Sequence, residues 1–172
     1  MSQRYRQAME WLYLACIAVS GTALIVITIA IPYGVFMRYV MKSAASWPEP
    51  AAILLMVVFT FVGGAAVYRA GLHIAVNALL DAVNAGVRGA MLVLVNLCLA
   101  GTCIFMIVWG LELVRATWHQ SIAEFPGLSA GLTYAPIPLA GIITLLFLIE
   151  HVWIGDPPQS SVMYADAPRD LE

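Results

Sequence analysis

The residues of this chain best equipped for chemistry are its histidines, its cysteines and its few acids. The histidines are His73, His119 and His151. A haem held between helices needs histidines inside the bundle, and all three fall at or beyond the ends of the long apolar stretches. The His-Glu-x-x-His spacing of a metal-binding helix does not occur. Cys16, Cys98 and Cys103 match no metal or redox spacing. Each is set in apolar sequence and reads as a small core residue. Glu49, Glu112, Glu124 and Glu150 could act as acids or bases, but no basic or nucleophilic side chains cluster with them in sequence. They read as solvated residues at a membrane edge. The expectation is therefore a protein with no enzymatic activity, no cofactor and no metal.

The elements around these residues explain why. Four uncharged stretches run from Trp11 to Met37, Pro50 to Tyr68, Gly89 to Leu111 and Phe125 to Ile149. A bilayer crossing takes about 20 residues of helix, so each is long enough. Only 10% of the 172 residues are charged, and 62% are hydrophobic. The mean hydropathy is +0.90. A soluble helical bundle would show a polar face on each helix, and these stretches have none. A net charge of -2 also argues against nucleic acid as a partner. The fold class expected is all-α and integral to the membrane, with four transmembrane helices.

The first stretch is too long for the apolar core of a signal peptide, and Arg38 and Lys42 separate it from the small residues that follow. It reads as a retained span. Proton-coupled small exporters also have four spans but need a carboxylate in the membrane core, which this chain lacks.

The connectors carry more information than loops usually do. Ser46 and Glu49 have capping-box spacing, with Pro48 in the first turn of the second span and Trp47 at headgroup depth. Between spans two and three, Leu72, Val76, Leu79, Leu80, Val83 and Val87 recur at helical spacing. His73, Asn77, Asp81, Asn84 and Arg88 recur on the other side. This predicts an amphipathic interfacial helix over about 70–87, lying in the membrane surface or against a partner's edge. Glu112, Arg115 and His119 predict that the third helix continues past the bilayer. Pro136 and Pro138 either bend the start of the fourth helix or mark the first turn of a shorter span ending near Trp153.

The domain expected is 1–155, with spans at about 11–37, 50–68, 89–111 and 130–153, followed by a polar tail at 156–172. Four spans put both termini on one side. Five basic residues on that side against three on the other predict cytoplasmic termini.

Within the spans, Asn96 is the boldest polar residue. It predicts a hydrogen bond across helices, within the chain or to a partner. Gly63-Gly64-Ala65-Ala66 permits close helix approach, again within the chain or to another subunit. A chain of this kind, without chemistry of its own, reads as an accessory or scaffold subunit. A self-assembling four-span protein and an autonomous small exporter are the alternatives.

Several motifs also resemble one family. Arg38-Tyr39 ends the first span, and Ser46-Trp47-Pro48-Glu49 precedes the second. Gly63-Gly64-Ala65-Ala66 is followed by Arg69-Ala70-Gly71-Leu72-His73-Ile74-Ala75-Val76, and Tyr134 precedes Pro136-Ile137-Pro138. In order and spacing these are similar to the small membrane subunit of tripartite ATP-independent periplasmic (TRAP) transporters, over roughly residues 10–153. Pro50 departs from the pattern, where the family often has an acidic or apolar residue.

The resemblance implies a bacterial inner-membrane protein whose partners are a large membrane subunit, a periplasmic substrate-binding protein and membrane lipids. Transport would be sodium-coupled uptake of organic acid anions, with the substrate and sodium sites in the large subunit. The small subunit would stabilise that partner and help dock the binding protein. Arg38, Trp47 and Glu49 are then expected to anchor the periplasmic edge, and Arg69, His73 and Asn77 the cytoplasmic edge. Gly63, Gly64 and Asn96 complete the expected partner interface.

Overall fold

The computed structural model describes residues 2–43, 45–70 and 85–154. Helix α1 spans Ser2–Tyr39, α2 Pro48–Arg69 and α3 Ala85–Thr117. A short antiparallel ribbon follows, with β1 at Ser121–Ile122 and β2 at Phe125–Ser129. The one-turn helix α4, Ala130–Tyr134, then leads into α5, Pro136–Ile154. Four segments are long and apolar enough to cross a membrane: Arg4–Tyr39, Pro48–Arg69, Val87–Thr117 and Ala130–Trp153. The protein is an all-α, multi-pass membrane protein.

The apolar spans stay helical because lipid offers backbone groups no other hydrogen-bond partners. Their hydroxyls bond back into their own helices. Ser20 donates to the Cys16 carbonyl at 2.7 Å, Thr28 to Leu24 at 2.8 Å and Thr102 to Cys98 at 2.9 Å. Helix α1 ends where Lys42 turns left-handed, at φ 53°, and the Ser43 amide bonds the Met37 carbonyl at 3.1 Å.

The capping box expected before α2 does not form. Trp47, not Ser46, holds the N-cap position, in a helical conformation and without a side-chain cap. Pro48 opens the helix, and Pro48 and Pro50 have no amide hydrogen, so fewer donors there need capping. A true side-chain cap appears instead at α4, where the Ser129 hydroxyl accepts from the Gly131 amide at 3.1 Å.

Pro136 and Pro138 sit in the first turn of α5. Their missing amides interrupt the helical ladder at Ala135, so α4 and α5 are separate helices although Ala135 keeps helical angles. The β-ribbon was not expected from sequence. It forms because Phe125–Ser129 folds back on Ser121–Ile122, closed by an Ala130 amide to Gln120 carbonyl bond of 2.7 Å.

The interfacial helix expected over about 70–87 lies mostly outside the described residues. Its last positions, from Ala85, belong to α3. The tail at 156–172 also lies outside them.

The extensive helix contacts run in sequence: α1 with α2, α2 with α5, and α5 with α3. The helices therefore form a row, not a closed ring. The core joins α1, α2 and α5 through Met9, Tyr13, Cys16, Val62, Ala65, Ala66, Ile143 and Phe147. Helix α3, at one end of the row, has only 6% of its apolar window buried, against 33% for the span that contains α5. It is held by close backbone approach: a Cβ on Gly141 would stand 3.1 Å from the Cys103 carbonyl oxygen.

Candidate anchoring and partner-interface site

Where α1 begins and α2 and α5 end, three helices meet around one ion pair. Arg69 is the last residue of α2 and Glu150 lies one turn from the end of α5. Antiparallel packing of α2 and α5 would put them at opposite ends if both were first-turn residues. Both are last-turn residues of helices that run in the same direction through the row, so they share a level. Arg69 Nε donates to Glu150 Oε2 at 2.9 Å, and Nη2 donates to Oε1 at 3.0 Å. The two side chains are 10% and 2% exposed. This two-point geometry is the strong form of an arginine–carboxylate contact.

Aromatic rings flank the guanidinium. Its carbon lies 5.3 Å from the Tyr13 ring centre and 5.4 Å from that of Phe147. The cation is thus held by a carboxylate and two π faces, one from α1 and one from α5. Tyr5 adds a further tie, donating from its hydroxyl to the Leu146 carbonyl at 3.2 Å. The Tyr13 hydroxyl is buried and has no hydrogen-bond partner among the described residues.

The sequence reading of Glu150 as a solvated edge residue is corrected here: it is 1% exposed. Arg69, expected to anchor the membrane edge, turns inward onto Glu150 because a buried carboxylate without a cation is costly. The topology held a usable signal. Arg69 ends the second span and Glu150 the fourth, so a four-span chain puts opposite charges on one side at one level.

Where α1 ends and α2 begins the contacts are looser. Arg38 and Glu49 approach to 3.7 Å with side chains 61% and 78% exposed. Tyr33 and Trp47 pack with ring centres 5.7 Å apart. These four residues tie the end of α1 to the start of α2. On α3, Glu112 and Arg115 form an exposed pair at 3.3 Å one helical turn apart.

The glycine–alanine run divides by direction. A Cβ on Gly63 would meet Ser20 Oγ of α1 at 3.3 Å, and Ala65 and Ala66 are buried. Gly64 is exposed and faces open space. Asn96 is half-buried on α3. His73 and Asn77 lie outside the described residues. No group of three His, Cys, Asp or Glu residues among those described could hold a metal ion.

The fold defines a class: a four-span helical membrane protein in which Arg69–Glu150 ties α2 to α5 and Arg38–Glu49 ties α1 to α2. Residues 27–155 match the family model described as tripartite ATP-independent periplasmic transporters, DctQ component, and the chain belongs to that family. A search of curated proteins gave no match.

Proposed function

We propose that this chain is the small scaffold subunit of a sodium-coupled, binding-protein-dependent transporter that imports organic acid anions across the bacterial inner membrane. It stabilises the large membrane subunit, which carries the substrate and sodium, and it helps dock the periplasmic binding protein. Both termini are cytoplasmic, so the Arg69–Glu150 contact lies at the cytoplasmic side. Arg38, Trp47 and Glu49 then lie at the periplasmic side with the β-ribbon.

One observation carries this reading: a transporter-component family match over residues 27–155 of a four-span chain. Helices in a row also suit a scaffold, because a row leaves broad apolar faces for another membrane protein. Gly64 and Asn96 are the partner-facing residues in this proposal, and Gly63 serves internal packing.

The test is purification of the tagged chain from its native membrane, with mass spectrometry of what accompanies it. A large many-span protein at near-equal amount is expected. Reconstitution of both with the binding protein should give uptake that needs a sodium gradient. Recovery of this chain alone, folded in mild detergent, would overturn the proposal and favour a self-assembling protein.

A further inference from the structure

Four apolar spans in lipid have little to tell them which neighbour is correct. Hydrocarbon is as apolar as leucine, so burial alone does not select a partner helix. The core gives α2 and α5 the side chains Val62, Ala65, Ala66, Ile143 and Phe147, which any apolar span could match in kind. The Arg69–Glu150 contact differs. Its two parallel hydrogen bonds fix the rotation of both helices as well as their distance. Tyr13 extends the fixing to α1. Arg38–Glu49 and Glu112–Arg115 are exposed, and the second lies within a single helix.

We propose that the Arg69–Glu150 pair is a helix-order latch. It specifies that α5 lies beside α2, and through Tyr13 it sets α1 against both. The outward shape that a large membrane subunit meets then depends on the latch, a step that rests on the function proposed above. Buried ion pairs contribute little net stability compared with well-packed apolar residues, whereas removing one partner strands a buried charge. Order, not stability, is therefore what the pair supplies.

The test uses the full chain, with and without its co-expressed large subunit. The variants are R69M, E150L, R69M/E150L and the exchange R69E/E150R. Helix order is read by thiol cross-linking between Val62→Cys and Ile143→Cys, members of one buried cluster on α2 and α5, in a chain freed of its three native cysteines. Each single variant should lower the melting temperature by about 10 °C. R69M/E150L should recover that melting temperature yet lose most of the cross-link and most of the recovered complex. R69E/E150R should regain the cross-link at least in part.

Single variants that melt like the parent would overturn the latch. So would an R69M/E150L chain that keeps both the cross-link and the complex. So would an exchange variant that regains no cross-link. If the unaltered chain recovers no large subunit, the proposed function fails, while melting and cross-linking on the chain alone still judge the latch.

Discussion

Gly110 of α3 receives the ring of Pro138 of α5: a Cβ on Gly110 would stand 2.9 Å from Pro138 Cδ and 3.1 Å from its backbone nitrogen. The pyrrolidine ring is rigid and the nitrogen belongs to the backbone, so neither can yield without moving a helix. Gly110→Ala should destabilise the chain by about 1–3 kcal/mol. Thermal melting in detergent checks this, and a melting point equal to the parent's would sink the packing argument.

Gly64 makes the opposite prediction. Open space surrounds it, so Gly64→Leu should leave the melting of the isolated chain within about 0.5 kcal/mol of the parent. If a partner helix lies there, recovery of the complex should fall several-fold. Unchanged recovery would take Gly64 off the partner interface.

Tyr13 separates ring from hydroxyl. Its hydroxyl is buried without a partner among the described residues, while its ring lies against the Arg69 guanidinium. Tyr13→Phe should be neutral or slightly stabilising, because an unsatisfied buried hydroxyl costs about 1–3 kcal/mol. Tyr13→Ala should cost about 3–5 kcal/mol, in the range for large aromatic-to-alanine changes. Equal losses in both variants would show that the hydroxyl has a partner after all.

Asn96→Leu tests whether the α3 carboxamide serves the chain or another subunit. By count it lies four residues from the midpoint between Arg88 and Glu112, about 6 Å along the helix axis. An unpaired amide at that depth is unfavourable. If a partner supplies the hydrogen bond, the leucine variant should melt no lower than the parent while recovery of the complex drops. Full recovery together with a lowered melting point would make Asn96 an internal residue.

Glu49→Gln should change little. The Arg38–Glu49 contact is long and exposed, and such pairs contribute about 0–1 kcal/mol. A melting shift above that range would mean that the pair is shielded in the assembled protein.

Much of the architecture was legible in the sequence because lipid imposes a simple rule. Uncharged runs of sufficient length must be helices, and the four spans follow from Arg38, Glu49, Arg69, Arg88, Glu112 and Glu150 as punctuation. Neighbour order was not legible. Side chains such as Val62 and Ile143 carry no address, whereas the opposite charges of Arg69 and Glu150 point to each other. The burial of Glu150 is not legible, because an acid at a span end is usually wet and nothing local to His151 or Ile149 distinguishes it. Gly63 and Gly64 were read as one patch. One residue along a helix turns the side chain by about 100°, so one glycine faces Ser20 and its neighbour faces outward. The β-ribbon is not legible either, because Pro126 and Gly127 mark a turn without naming its pairing.

The separation of Arg69 and Glu150 by 81 residues also has a consequence for biogenesis. Arg69 emerges from the ribosome with the second span, long before the acid that will neutralise it. During that interval the cation must wait at the membrane surface, where its aliphatic stem can lie in lipid while its head stays hydrated. Its place as the last residue of α2 makes the wait tolerable. The same arginine two turns deeper would burden insertion of the second span itself. The acid arrives only with the last span, so the Arg69–Glu150 contact can close only after all four spans have been made.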